Sequence, residues 1–212
     1  MAGLRPYQRR RSRPVVITVS VLAALAVATW TTVLVRSSAE SGLAACNASP
    51  TGSVGTVLDA GALDDVTPVS PASVKATVLN GGGQRGQANL VAAQLGDLGF
   101  GEARQPDNDP FYPQGDLVCR GQLRFGQSGE AAAATLQLVL PCLEAVRDDR
   151  GDDSVDVAVG TAFTDVNPTR DVRDVLERLG APGSGENAEG GQVATPQLDP
   201  QVLSHAREAA RC

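Results

Sequence analysis

Residues 74–100 read VKATVLNGGGQRGQANLVAAQLGDLGF, and two periods meet in them. Val74, Ala76 and Val78 alternate with Lys75 and Thr77, the two-residue repeat of a half-buried strand. Asn80-Gly81-Gly82-Gly83 ends that strand in a tight turn. Residues 85–98 then place Leu90, Val91, Leu95 and Leu98 broadly on one side at helical spacing. Gly99 supplies a residue able to take positive φ past the helix end. A strand turning directly into a helix opens an α/β layer architecture.

The pattern continues downstream. A short strand is expected near Glu102–Arg104, and a longer one over Leu117–Phe125. In the longer one, Leu117, Cys119, Leu123 and Phe125 face one way, and Val118, Arg120, Gln122 and Arg124 the other. Ser128 is placed to cap a helix over 129–140, Glu130 complements its N-terminal dipole, and Pro141 stops it. Leu143–Arg147 and Val155–Val159 predict two strands of a hairpin, joined by the polar run Asp148–Asp153. Asn167-Pro168 opens a further helix to Leu179. The fold class is α/β: a small two-layer sandwich over residues 73–179, in the order β-α-β-β-α-β-β, with helices on one sheet face. Residues 36–72, rich in Ser, Gly, Ala and Pro, predict a stalk that packs in part on the domain. Residues 180–197 (GAPGSGENAEGGQVATPQ) predict a disordered stretch in a 180–212 tail, with a short helix near 199–210.

Charge divides the chain unevenly. Residues 1–14 carry five Arg and no acid. Residues 36–212 hold 13 basic against all 24 acidic residues, a net of −11. Such a balance repels a phosphate backbone and argues against nucleic acid as a partner. Between them, residues 15–35 read VVITVSVLAALAVATWTTVLV, without charge, Gly or Pro. At 1.5 Å per residue the run spans roughly 30 Å, enough for one transmembrane helix. The arginines before it predict a cytoplasmic basic tail (1–14) and an extracytoplasmic remainder, a single-pass cell-membrane protein. A cleaved signal peptide would have a shorter apolar run. The lipobox-like Leu43-Ala44-Ala45-Cys46 does not abut the apolar run, because Arg36 and Glu40 intervene.

Four cysteines, Cys46, Cys119, Cys142 and Cys212, follow the apolar run, where oxidation is allowed. A strand from Cys119 and a helix returning to Cys142 predict a Cys119–Cys142 disulfide. Cys46–Cys119, tying the stalk to the domain, is the rival pairing, and Cys212 is left open.

Signals for chemistry are sparse. Gly81-Gly82-Gly83-Gln84-Arg85-Gly86 fits G-x-G-x-x-G, with Glu102 beyond it, but the domain is too small for a full dinucleotide fold. The glycines are read as turn residues. The one His, His205, lies in the terminal segment. Asp148–Asp153 lacks Ca²⁺-loop spacing, and Asp107-Asn108-Asp109 reads as turn chemistry. No catalytic residue, metal ligand or cofactor is assigned. Arg120, Arg124 and Lys75 on the uncovered sheet face, with Arg85 at the helix start, are the candidate ligand-binding residues for an anionic glycan or a partner protein.

Residues 74–100, strand, LNG turn and helix ending in Gly-Phe, resemble the opening of LytR C-terminal domains. Residues 119–163, CRGQLRFGQSGEAAAATLQLVLPCLEAVRDDRGDDSVDVAVGTAF, resemble more narrowly an actinobacterial envelope-integrity branch. The resemblance implies an extracytoplasmic α/β domain and a role in envelope integrity, with effects on permeability and virulence. Its expected partners are peptidoglycan or wall glycopolymer, or an envelope protein. It also implies that the transferase domain of LytR proteins is missing here, since only about 38 residues separate Val35 from Val74. The expected activity is therefore non-enzymatic, either as an anchored binding module or as an accessory to a LytR-type glycopolymer transferase.

Overall fold

The computed structural model describes residues 13–42, 45–181 and 198–210. Residues 1–12 of the basic tail, the Gly-rich stretch 182–197 and Cys212 lie outside the described residues. The chain forms two compact units, residues 1–42 and 43–212.

The first unit contains the helix α1, Arg13–Gly42. Its described side chains run from Val16 to Thr31 and all are exposed. Eight large apolar ones, from Val16 to Trp30, are more than half exposed. Among the described residues no helix is long and apolar enough to cross a membrane.

The second unit is built on one mixed sheet. Its strands are β1 (Thr56–Val57), β2 (Lys75–Asn80), β3 (Gly101–Glu102), β4 (Asp107–Asn108), β5 (Gly121–Phe125), β6 (Glu144–Arg147) and β7 (Ser154–Val159). The spatial order is β1-β6-β5-β7-β2-β3, with β4 also on β2. β2 runs parallel to β7 (Val78 opposite Val157), β5 parallel to β6 and antiparallel to β7. Helices α2 (Gln87–Asp97), α3 (Glu130–Val139) and α4 (Arg170–Gly180) supply Val91, Leu95, Leu136, Val139, Val172 and Leu176 to one core. The strands meet them with alternate residues: Ala76 and Val78, Leu123 and Phe125, Val155 and Val157. A last helix, α5 (Pro200–Ala209), starts at the Asp199 cap and falls where the sequence places a short helix.

The α/β class, with helices on one sheet face, is as expected; several local readings change. Residues 45–72, expected as a stalk packing in part on the domain, lie on this unit more fully than expected. Thr56–Val57 pair with β6, Leu63 joins the core, and Val69 N–H donates to the Thr135 hydroxyl at 2.9 Å. The β6–β7 hairpin does not form. β5 lies between the two strands, so the acidic run crosses the end of β5 instead of turning back. Gly126 makes room, because a Cβ there would strike the Arg150 carbonyl. The physical reason is that the α3 crossover returns the chain parallel to β5, occupying the place a hairpin partner would need. Thr169, not Asn167-Pro168, caps α4 by accepting from Val172 N–H. Ser128 does not cap α3: it lies in a single 3-10 turn, Gln127–Gly129, and Gly129 stands at the cap.

One glycine explains the largest correction. Gly121 takes φ +148°, and a Cβ there would run into the Ala158 carbonyl. Strand β5 therefore begins at Gly121, not Leu117, and the alternation breaks there. Leu123 and Phe125 point into the helix-side core, while Leu117 and Cys119 belong to a second cluster with Leu79, Tyr112 and Ala158. Cys119 consequently bonds to Cys46, with Cα atoms 4.8 Å apart. The expected Cys119–Cys142 bridge is absent, although Cys142 is itself disulfide-bonded.

Candidate functional site

The sheet face turned away from the helices carries the chain's main polar construction. Arg124, in the middle of β5, is 1% exposed. Its Nη1 and Nη2 donate to the two carboxylate oxygens of Asp109, at 2.9 and 2.7 Å, and its Nε donates to Gln122 Oε1 at 2.9 Å. The rings of Phe111 and Tyr112 lie 5.1 and 5.7 Å from the guanidinium carbon. Gln122 passes the chain on to Glu144, which accepts from its side-chain amide at 2.8 Å. Burying an ion costs several kcal/mol unless it is paired, and this planar cation meets a matched carboxylate fork.

A strap, residues 45–55, lies over this network. Cys46 N–H donates to Glu144 Oε1 at 3.2 Å, and Cys46 is bonded to Cys119. Asn47 accepts from Val118 N–H at 2.6 Å and donates to the Asp116 carbonyl at 3.0 Å. The Tyr112 hydroxyl donates to the Asn47 carbonyl at 2.6 Å, and the Ser49 hydroxyl to that of Phe111 at 2.8 Å. Burial raises the Tyr112 phenol above its ordinary value of 10.0. At the other end of the face, Arg150 donates to Asp148 and Asp156, each at 2.7 Å. Burial works against the charged guanidinium, yet these bonds hold it more firmly protonated than usual.

The four candidate residues do not converge. Arg124 is structural and out of a ligand's reach. Lys75 is exposed at the start of β2 and paired with Asp153 at 2.9 Å, which lowers that carboxyl. Arg85 and Arg120 lie at the opposite end. The register sets Gly121 opposite Val159, and Val159 opposite Asn80. Arg120 therefore precedes β5 at the end where the Asn80–Gly86 turn leaves β2 and carries exposed Arg85. Arg120 is half-buried beside a cavity of about 60 Å³ lined by Leu140, Leu143, Phe163 and Thr164. Among the described residues neither Arg85 nor Arg120 forms an ion pair. A second cavity at this end, about 220 Å³, is lined by Asn80, Gly86, Asn89 and Asp107.

The glycine motif finds its explanation in packing. A Cβ on Gly82 would strike Gly160, and one on Gly83, at φ +72°, would press on Gly115. Three loops meet there backbone to backbone. The sequence shows Asp109 only as a turn residue. It does accept from Phe111 N–H at 2.9 Å, but its second task is pairing Arg124. A signal existed in the aromatic pair Phe111-Tyr112 just after it, in a chain with six Phe and Tyr residues in all. His205 stands 3.5 Å from Asp171, both exposed. Among the described residues no group of three or more His, Cys, Asp or Glu is placed to hold a metal.

Residues 73–163 match the LytR_C family, described as LytR cell envelope-related transcriptional attenuator. The cell envelope integrity protein Cei of Mycobacterium tuberculosis is 42% identical over 188 residues, 86% of each chain. The chain belongs to the Cei family. The Cei fold in this chain resembles the crystal structure of the soluble domain of a conserved hypothetical secreted protein from Mycobacterium marinum. That match is 38% identical, with a TM-score of 0.64, and covers 76% of this chain and all of that one. The Cei relationship supports an envelope-associated role. The LytR C-terminal resemblance of residues 74–100 and the narrower envelope-integrity resemblance of residues 119–163 both hold.

Proposed function

We propose that this Cei-family chain is a non-enzymatic, single-pass membrane protein whose second unit supports envelope integrity by binding peptidoglycan or a wall glycopolymer. The observation that carries the reading is an apolar helix of exposed side chains on a chain so similar to Cei. Eight large apolar groups left in water would forgo roughly 1.5–3 kcal/mol each, and a bilayer removes that penalty. The uncharged run 15–35 has the length to span, and the preceding arginines favour a cytoplasmic N-terminus.

Within the second unit, the contact surface is the sheet end where β2 and β7 both finish. Ligands of α/β sheets gather at the carboxyl ends of strands. Arg85 and Arg120 are the basic groups there without an ion-pair partner among the described residues, and suit an anionic polymer. Sedimentation of the purified protein with peptidoglycan tests this. Binding that falls on Arg85→Ala and Arg120→Ala substitution supports the surface, and unchanged binding rejects it. A reporter fused after Cys212 that proves cytosolic would overturn the topology. The LytR_C match favours one other reading, an accessory subunit of a LytR-type glycopolymer transferase, which predicts no sedimentation and recovery of that enzyme by crosslinking.

A further inference from the structure

We propose that the cavity of about 220 Å³ between β4 and the start of α2 holds one uncharged sugar unit, an inference that rests on the proposed wall binding. Three asparagines from three elements line it. Asn80 ends β2, and Asn108 lies opposite it in β4, so the two side chains leave the sheet on one face. Asn89 comes from the first turn of α2. Asn89 and Asn108 are exposed, and neither side-chain amide is bound to another group among the described residues. Asn80 donates from Nδ2 to the Gln84 carbonyl at 2.9 Å, but its Oδ1 is buried without a partner. Buried acceptors are nearly always satisfied, so one left open at the wall of a cavity points to a donor supplied from outside.

The chemistry selects against ions. No Lys or Arg lines the cavity, and Asp107 is the one charged residue there, so a phosphate or carboxylate is repelled. Each amide offers a donor and an acceptor side by side. That pairing matches adjacent hydroxyls, or the acetamido group, of a sugar ring, which donate and accept at once. The volume falls below the roughly 300–1,000 Å³ of a drug-sized pocket, which suits a single ring. Gly86 has no atom within 4 Å of the place a Cβ would take, so the mouth stays open on the side of Arg85. A charged polymer then lays an acidic group on Arg85 and a neutral ring in the cavity. Arg85 supplies the attraction, and the asparagines supply the choice of sugar.

The test titrates chitotriose and maltotriose, both neutral, into full-length protein in detergent micelles, with the side-chain amides of Asn89 and Asn108 followed by NMR. At least one sugar should shift both amides saturably, with a dissociation constant of roughly 1 mM. Salt at about 0.5 M should leave the shifts in place, because no ion pair is made. If neither sugar moves the amides, or if inorganic phosphate moves them as much, the proposal is overturned. Asn89→Ala and Asn108→Ala, each followed at the remaining amide, should weaken the sugar about 3–10-fold with an unchanged melting temperature. Affinity that survives both changes rejects the site. Sedimentation with peptidoglycan separates this proposal from the one it rests on. Sedimentation lost on Arg85→Ala, with no sugar shift, strikes the cavity alone. A sugar shift without sedimentation strikes wall binding and leaves the cavity standing.

Discussion

On one face of the sheet, Leu123, Phe125, Val155 and Val157 meet three helices through carbon alone. On the other, Arg124, Gln122, Glu144 and Asp109 form a network of hydrogen bonds and an ion pair, over which a strap is held by the Cys46 bond to Glu144 and the Cys46–Cys119 disulfide. The difference is one of tolerance. Apolar packing degrades in steps, a methylene at a time. A buried ionic network is closer to all-or-none, because removing one member strands another charge away from water. The strap side therefore offers the more drastic single substitutions, although the larger hydrophobic cluster lies on the helix side.

The comparison breaks or sharpens first at Asp109. Asp109→Ala leaves a buried guanidinium unpaired and should cost about 3–5 kcal/mol in denaturant unfolding. The paired change Arg124→Met/Asp109→Leu should restore most of that. If Asp109→Ala costs less than Leu136→Ala on the helix side (about 2–4 kcal/mol), the contrast fails. Next comes the bridge. Cys46→Ser/Cys119→Ser should lose about 2–4 kcal/mol and open residues 45–57 to protease, with amide protection in α2 and α3 unchanged. Equal loss of protection on both faces would show that they fold as one block.

A smaller effect is expected in alkali. The folded Tyr112 phenol titrates above its ordinary value, so its contribution is intact below pH 10 and fades as pH rises through the folded value. Phenolate absorbance should appear late and together with strap release, and early titration would mean that the hydroxyl is not held by Asn47. The smallest effect lies at Lys75. Its bond to Asp153 joins two exposed groups, so Lys75→Ala should leave the melting temperature unchanged near neutrality. The carboxyl is lowered, so whatever the pair adds is present above pH 3.8 and goes as pH falls through the folded value. A clear drop at pH 7 would make the acidic crossing part of the folded network.

Much of this architecture was legible because it is periodic. The strand at 75–80, the helices at 87–97 and 130–139 and the strand at 154–159 all declare themselves by two- or 3.6-residue spacing. What periodicity does not carry is what sits between the elements. Strand pairing depends on crossovers, so β6 and β7 read as neighbours although β5 separates them. The far face reads as uncovered from sequence because its cover is a strap and a loop, neither with a repeat. Arg124 reads as a surface group for the same reason. Its burial depends on Asp109, fifteen residues upstream in an irregular segment, and on a disulfide whose direction is set by one glycine.

The Cys46–Cys119 bridge also fixes how the molecule bears mechanical load. Tension arriving along the chain from the N-terminal side enters at Cys46 and passes through sulfur to Cys119, two residues before the central strand β5. The 73 residues of separation are bypassed, so β2, α2 and the aromatic loop lie outside the line of force. A pull that would peel an unbridged domain strand by strand instead shears β5 against both of its neighbours at once.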